Sequence, residues 1–532
     1  MNGKLSKSDE SARSGCTVRL GRSRTGTTWQ MPHLGKQEFA TSGQRLGRRY
    51  DPIRMTPNSD PLHYQDATTL ATLIATGAVS SRDVVEAHLN RVAEVNPKIN
   101  AVVTPRADQA LAAADEADEA IADGAELGPL HGVPFTVKDS LDTAGVPTQR
   151  GSKLFAGFTP AADATAVARI EAAGAILIAK TNLPEFSWWT ETDNLVTGRT
   201  NNPWNLNRTP GGSSGGESAA IASGMSPFGI GSDVAISVRG PAALTGIVAL
   251  KATHGRIPYT GHFPPVTSAW WHVGPMARTV RDVALGYSLM SGPDGVDGYA
   301  VHAKNADAAT ARVAGRPLRV GWVSDTAFGP VDPEVTTTVA AAAAKLVDVG
   351  CDVERVEVPF LDGGDALSAL MTLVSSALGP YLRELVGDRH HELFRTGAAA
   401  VAARDPSLTE VLAAQAKKEA LRSAFANYFS TYDVLLCPVT PVTARPHGLS
   451  EHVVDGVTVP STHVMAATSP FNLTGLPALS VPYALSSERL PIGVQLVSTW
   501  FDEATILRLG ALLERKGGLD DHRPPITAGT EA

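Results

Sequence analysis

Apolar positions set the first picture of the chain. From Asp66 to about Val95, Leu70, Leu73, Ile74, Val84, Val85, Leu89 and Val92 recur at helical spacing, broken at Gly77, and predict two consecutive helices. Strand-like and helix-like runs then alternate. HGVPFTVKD predicts a strand, ATAVARIEAAG a helix, AILIAK a strand and GGESAAIASG a helix led by glycines. The alternation continues through TVRDVALGYSLMSG (helix), LRVGWVSD (strand), PEVTTTVAAAAAKLVDVG (helix) and DVERVEVP (strand), so the class is α/β.

Between about residues 363 and 432 the strand signal stops. ALSALMTLVSSAL and LTEVLAAQAKKEALRSAFANYF carry helical periodicity through that interval, which reads as a helical cap over a site. DVLLCPVTP, ALSVPYAL and IGVQLVST then return as apolar strands, and EATILRLGALLERKGG closes as a helix. No short-period repeat is present. The 532 residues exceed the size at which one core usually stays single, yet the runs interlock too closely to divide. One large catalytic domain over about residues 55–525 with an embedded cap is therefore expected, followed by a flexible tail over 526–532.

Composition then excludes several classes. At 43% hydrophobic and 19% charged, the chain belongs with soluble globular enzymes. The most alanine-rich stretch, Ala340 to Ala344, is short and flanked by charge, so no membrane span is expected. Cys16, Cys351 and Cys437 are widely separated and lack CxxC spacing, which suggests neither a disulfide framework nor a zinc site and fits a reducing cytoplasm.

Charge separates the first 54 residues from the rest. They hold eleven Lys/Arg against four Asp/Glu, whereas the whole chain carries −8. That segment lacks an apolar core for a secretory signal and shows no periodicity, so it is expected to be a disordered or non-native extension. A basic arm for nucleic acid is the other reading, and the chain as a whole is expected to bind no nucleic acid. Met55 opens a sequence that looks like a natural enzyme start, and a Met55 start is expected to retain full activity.

The most informative segment is TPGGSSGGESAAIASGMSPFGIGSDVAISVR, Thr209 to Arg239. Its two serine clusters stand 24 residues apart. Glycines around Ser213 and Ser214 permit close backbone approach, and a helix beginning after Gly216 points N–H groups back toward the loop. Flexible turns use the same composition. In GVPFTVKDSLDTAG, Lys138 ends an apolar strand, where burial of its stem would favour the neutral amine that a general base requires. A surface lysine at a strand end is the plain alternative.

These segments resemble the amidase signature family from about Gly132 to Gly518. The marks, in order, are GVPFTVKD, AKTNLPEFS, NNPWNLNRTPGGSSGGESAA, GSDVAISVRGPAALTGIVALKATHGRIP, GPMARTVRDVAL, YDVLLCPVTP and NLTGLPALSVPYALSSERLPIGVQLVSTWFDEATILR. The resemblance implies an α/β amidase signature fold, with a central mixed, mostly parallel twisted sheet surrounded by helices. It also implies a Ser–cis-Ser–Lys triad: Ser237 as nucleophile, Ser213 behind a cis peptide bond as bridge, and Lys138 as base. An oxyanion hole from the backbone N–H groups of Val234, Ala235, Ile236 and Ser237 is implied as well. Support roles fall to Ser214, Asp233 and Arg239, with a structural ion pair as the alternative for Asp233 and Arg239. No metal or organic cofactor is needed.

The sequence departs from the family at one place. Most members have Gly-Gly directly before the nucleophile, where this chain has Ala235-Ile236. A β-branched residue there would be strained if its position needed positive φ, and a reshaped acyl pocket beside Ser237 is expected. Such enzymes cleave amides, anilides, esters and carbamates with one triad, so the substrate is a small amide, carbamate or ester, and bulky aryl amides or carbamates are favoured here. The alternative is the glutaminase subunit of a transfer-RNA amidotransferase. A homodimer is the expected assembly.

Other readings carry less. GSSGG satisfies GxSxG, but the preceding NNPWNLNRTP is not strand-like, and S-x-x-K does not occur. RHHEL and HELFR lack HExxH spacing, so His254 and His272 are expected in a pocket or the core. Trp188-Trp189 and Trp270-Trp271 are split between core packing and lining a pocket for a bulky acyl group.

Overall fold

The structure, a computed structural model, describes residues 60–267, 269–303, 316–324, 327–514, 519 and 522–526. The expected extension over 1–54, the Met55 start and residues 527–532 of the expected tail lie outside the described residues. Ile526, the first residue of that tail, is instead buried, and its carbonyl accepts a hydrogen bond from Arg91 Nη2 at 3.0 Å.

The two predicted opening helices are Ala67–Ala75 and Ser81–Ile99, separated at Gly77 with φ 69°. Asp66 caps the first by accepting from the Thr69 N–H, while Ser80 and Asp83 form a reciprocal capping box on the second. Asn100 in the left-handed region ends it.

Among the described residues, eleven strands form one mixed sheet. In chain order they are β1 (Val102–Pro105), β2 (Pro134–Lys138), β3 (Ile176–Thr181), β4 (Phe228–Asp233), β5 (Val248–Lys251), β6 (His272–Ala277), β7 (Arg319–Trp322), β8 (Asp352–Arg355) and β9 (Val434–Pro438). A separate hairpin, β10 (Glu451–Val454) and β11 (Val457–Pro460), turns through Asp455-Gly456, both at positive φ as a two-residue turn of this kind requires. The sheet is completed by β12 (Ala478–Leu485) and β13 (Pro491–Ser498), in the order β1-β3-β2-β4-β6-β5-β12-β13-β9-β7-β8. Parallel pairing joins β3-β2-β4 and β9-β7-β8, and the remaining neighbours are antiparallel.

Strands β1, β4, β5 and β6 are not predicted by the apolar pattern. Strand β4 reads FGIGSD and β6 reads HVGPMA, so glycine and proline erase the usual β signal. Packing explains one of these choices: the Glu217 carboxylate occupies the space that a side chain on Gly229 would fill. Every residue of both strands is buried.

The interval expected to be a cap is helical among the described residues, with helices Asp365–Val386, Arg395–Ala402 and Leu408–Tyr428. No described helix is long and apolar enough to cross a membrane.

Candidate active site

The parallel register of β2 and β4 brings the predicted residues into reach. Val137 pairs with Ile230, which sets Lys138, the last residue of β2, beside the end of β4. The Lys138 side chain is fully buried, and its Nζ lies 2.7 Å from Ser213 Oγ and 3.0 Å from Ser232 Oγ. Burial drives Lys138 well below the ordinary lysine value, against the opposing charges of Asp233 and Glu217.

Ser213 follows a cis peptide bond from Gly212, as the family resemblance implies. Gly212 is pressed against the segment before it: a Cβ there would stand 2.8 Å from the Trp189 carbonyl oxygen and 2.7 Å from the Glu191 nitrogen. Ser214 ties the two serine clusters together. Its N–H donates to the Ser237 carbonyl at 3.2 Å and its hydroxyl to the Ser232 carbonyl at 3.2 Å.

Ser237 lies in the turn between β4 and the helix Arg239–Thr245, at 4% exposure. Asp233 organises this turn from below. One carboxylate oxygen accepts from the Val238 N–H at 3.1 Å and from Arg239 Nε at 3.0 Å, and the other from Arg239 Nη2 at 3.0 Å and Asn472 Nδ2 at 2.9 Å. Burial pushes Asp233 up, but the charge and hydrogen bonds of Arg239, helped by Asn472 and Val238, hold it below the usual carboxylate value. Arg239 is in turn fastened by Gln495 Oε1 at 2.9 Å, the Thr468 carbonyl at 3.1 Å and Asn472. Asp233 and Arg239 form a fully buried ion pair that is bonded to the Val238 N–H, the residue after Ser237.

The backbone N–H groups of Val234, Ala235, Ile236 and Ser237 donate to no described protein acceptor. Neither Ala235 nor Ile236 is among the residues with positive φ, so the strain considered for a left-handed isoleucine does not arise. Both side chains are buried in the core, and room for Ile236 is made at Gly240 in the following helix.

The two tryptophan pairs separate. Trp188 and Trp189 line a cavity of about 400 Å³, with the helices at 365–386 and 395–402 opposite them, whereas Trp271 is 2% exposed in the core and Trp270 packs against it. His272 is buried with Nδ1 3.3 Å from the Asp233 carbonyl oxygen, and its ring centre is 5.3 Å from that of His254.

Ser232, the second hydroxyl on Lys138, and the partners Asn472, Gln495 and Thr468 are not singled out by the sequence. Ser232 sits next to Asp233 in GSD, but that adjacency carries no signal that its hydroxyl reaches Lys138. The other three lie more than two hundred residues from Arg239 and have none. Glu217 is a further omission. Its carboxylate accepts from the Thr181 hydroxyl at 2.6 Å and from the hydroxyl of Thr136, which lies two residues before Lys138 on the same face of β2.

Known proteins show the family. The amidase family model matches residues 83–507. The chain is 35% identical to the A subunit of glutamyl-tRNA(Gln) amidotransferase from Acidothermus cellulolyticus, over 84% of this chain and 93% of that one. Among solved structures it is similar to a 6-aminohexanoate cyclic dimer hydrolase, with 30% identity, a TM-score of 0.76, and 87% and 99% of the two chains covered. A bacterial aryl acylamidase of the amidase signature family gives 26% identity and a TM-score of 0.78, covering 86% and 97%. With the family model spanning most of its length and the fold shared throughout, the chain belongs to the amidase signature family of hydrolases acting on C–N bonds.

Proposed function

We propose that the protein is a serine hydrolase of small amides or carbamates bearing a bulky apolar or aryl group, working through an acyl-enzyme on Ser237. The observation that carries this reading is the contact of buried Lys138, its pKa driven down by burial, with Ser213 at 2.7 Å, on a loop that is itself bonded to Ser237 through the Ser214 N–H.

As Ser237 Oγ attacks the carbonyl carbon, its proton passes to Ser213 and the Ser213 proton passes to Lys138, which becomes an ammonium. The oxyanion that forms is met by the free N–H groups of the 234–237 turn. Collapse returns the proton through Ser213 to the leaving nitrogen, and the C–N bond breaks. Water then attacks the ester with its proton taken by the same relay, and Ser237 is regenerated. Asp233 and Arg239 hold the turn and touch no reacting atom.

The cavity beside Trp188 and Trp189 supports a bulky group on the substrate, because the two indoles, Leu378, Leu449 and three alanines give it an apolar lining beside the charged Arg395, Arg404 and Asp405, and the Trp189 backbone packs against Gly212, the residue before Ser213. An aryl acylamidase shares the fold, which supports the same choice. A second reading is that the chain serves as a glutaminase subunit, favoured by the relatives named as the A subunit of glutamyl-tRNA(Gln) amidotransferase.

The test compares wild type and Ser237→Ala on an aryl amide, an aryl carbamate, an ester and glutamine, with intact mass following the acyl-enzyme. Turnover and adduct on the aryl substrates, both lost in Ser237→Ala, support the proposal. Strict dependence on glutamine together with co-purifying subunits would replace it with the second reading, and undiminished turnover in Ser237→Ala would remove the nucleophile assignment.

A further inference from the structure

The segment Glu185–Trp189 and the helix Arg395–Ala402 face each other across the cavity and are pinned at a single buried carboxylate. Glu185 Oε2 accepts the N–H of Phe394, immediately before that helix, at 2.8 Å, and Oε1 accepts the Ser152 hydroxyl at 2.7 Å. The helix meets this carboxylate at Gly397. A Cβ on residue 397 would overlap Glu185 Oε2 and stand 2.9 Å from its carboxyl carbon.

On the other side of the same residue the chain turns sharply. Phe186 and Ser187 adopt left-handed φ of 58° and 59°, and the next two residues are the tryptophans of the cavity wall. Left-handed backbone at two consecutive residues with side chains persists only where surrounding contacts impose it. Glu185 supplies such a contact at the start of the turn. Two parts of the cavity wall are therefore referred to one side chain at 1% exposure: Trp188 and Trp189 through the turn, Thr396 and Ala399 through the helix.

We infer that Glu185 is a positioning residue that sets the width of the Trp188–Trp189 cavity and thereby the preference for substrates with an aromatic group. This rests on the proposal that the cavity receives part of the substrate. Glu185 touches no reacting atom, so its removal acts on substrates in proportion to their use of the cavity. Burial, against the hydrogen bonds from Ser152 and Phe394, pushes its carboxyl up to about 7, so a neutral isostere is a fair replacement near neutral pH. A glutamine oxygen accepts the Phe394 N–H, and its amide donates to Ser152.

The experiment measures 4-nitroacetanilide and acetamide hydrolysis for wild type, Glu185→Gln, Glu185→Ala and Gly397→Ala, alongside amide hydrogen exchange over residues 394–402. In Glu185→Ala the KM for the anilide is expected to rise about tenfold or more, and the anilide-to-acetamide ratio of kcat/KM to fall about tenfold, since displacement of a wall by about 1 Å has effects of this size or larger. Exchange over 394–402 is expected to accelerate. Gly397→Ala strains the same contact from the opposite side and is expected to shift the ratio likewise, so the inference survives if one of the two variants fails to fold. Glu185→Gln is expected to restore both the ratio and the protection.

Equal loss on both substrates, an unchanged ratio, or unchanged exchange in Glu185→Ala would overturn the inference, as would Glu185→Gln behaving like Glu185→Ala. Ser237→Ala assayed in the same series separates the two claims. Its activity tests the nucleophile, whereas the substrate ratio and the exchange rates test Glu185 whichever residue attacks.

Discussion

The side chain of Ile236 occupies the space that a side chain on residue 240 would need. Its Cδ1 stands 2.6 Å from the point where a Cβ on Gly240 would project, while the Gly240 N–H donates to the Ile236 carbonyl at 2.7 Å. The bulk that replaces glycine before Ser237 is thus taken up one helical turn later, where this chain has a glycine.

This pairing is measurable as coupling. Gly240→Ala is expected to destabilise the protein by about 1–3 kcal/mol through overpacking, read from chemical denaturation. Ile236→Ala in the Gly240→Ala background is expected to recover part of that loss, with a coupling energy of about 1 kcal/mol. Additive effects would show that the two positions do not share this space.

Loss of the serine–lysine relay is expected to be severe. Ser237→Ala, Ser213→Ala and Lys138→Met should each lower kcat by about a thousandfold or more, and the double variant Ser213→Ala/Lys138→Met little further, because groups acting as a unit are not additive. Circular dichroism should show all of them folded. Multiplying losses in the double variant would count against a single relay.

Activity should depend on pH through Lys138. Only the neutral amine can take a proton from Ser213, and burial lowers its pKa well below that of an ordinary lysine. The acid limb of kcat/KM is therefore expected at a pH well below the range in which free lysine titrates. A profile that rises only in that alkaline range would contradict a Lys138 whose pKa burial lowers.

Stability should carry the signature of Glu217. Burial, opposed by hydrogen bonds from Thr136 and Thr181 and by the charges of Lys138 and Lys180, raises its carboxyl to about 7 from an ordinary 4.5. With the folded-state pKa raised, its contribution is fully present below the unfolded value and is lost as pH rises through about 7. The stability of wild type relative to Glu217→Gln is therefore expected to fall by roughly 3 kcal/mol between pH 4 and pH 8, from denaturant midpoints. A difference that grows with pH would reverse the assignment.

Arg239 makes the buried ion pair the most vulnerable support of the turn. Arg239→Met leaves Asp233 charged and buried, and is expected to cost about 3–5 kcal/mol and to lower kcat. A thermal unfolding midpoint within a degree or two of wild type would contradict the structural weight given to this pair.

Much of the fold and of the candidate site is legible in the order of residues. The strand ending at Lys138, the glycine-led helix after Ser214, the helical interval beyond residue 363 and the closing strands all carry periodicities set by neighbours in the chain. Lys138, Ser213 and Ser237 stand out because the residues around each form a recognisable local motif. Strands β4 and β6 do not, because their glycines answer to groups packed against them from elsewhere: Gly229 to Glu217, Gly231 to Met276 of the neighbouring strand and Gly274 to the Leu250 carbonyl.

The sequence by itself determined the α/β class, the family and the three residues of the proposed relay, since each depends on residue types over short spans. Tertiary structure alone decided that Ser232 shares Lys138, that Asn472 and Gln495 hold Arg239, that Gly240 receives Ile236, and that one tryptophan pair lines a cavity while the other packs in the core. The physical reason is range. Periodicity is a property of neighbours along the chain, whereas all of these contacts except the local packing of Ile236 on Gly240 join segments brought together only when the sheet assembles, and spacing does not record which side chain fills a given space.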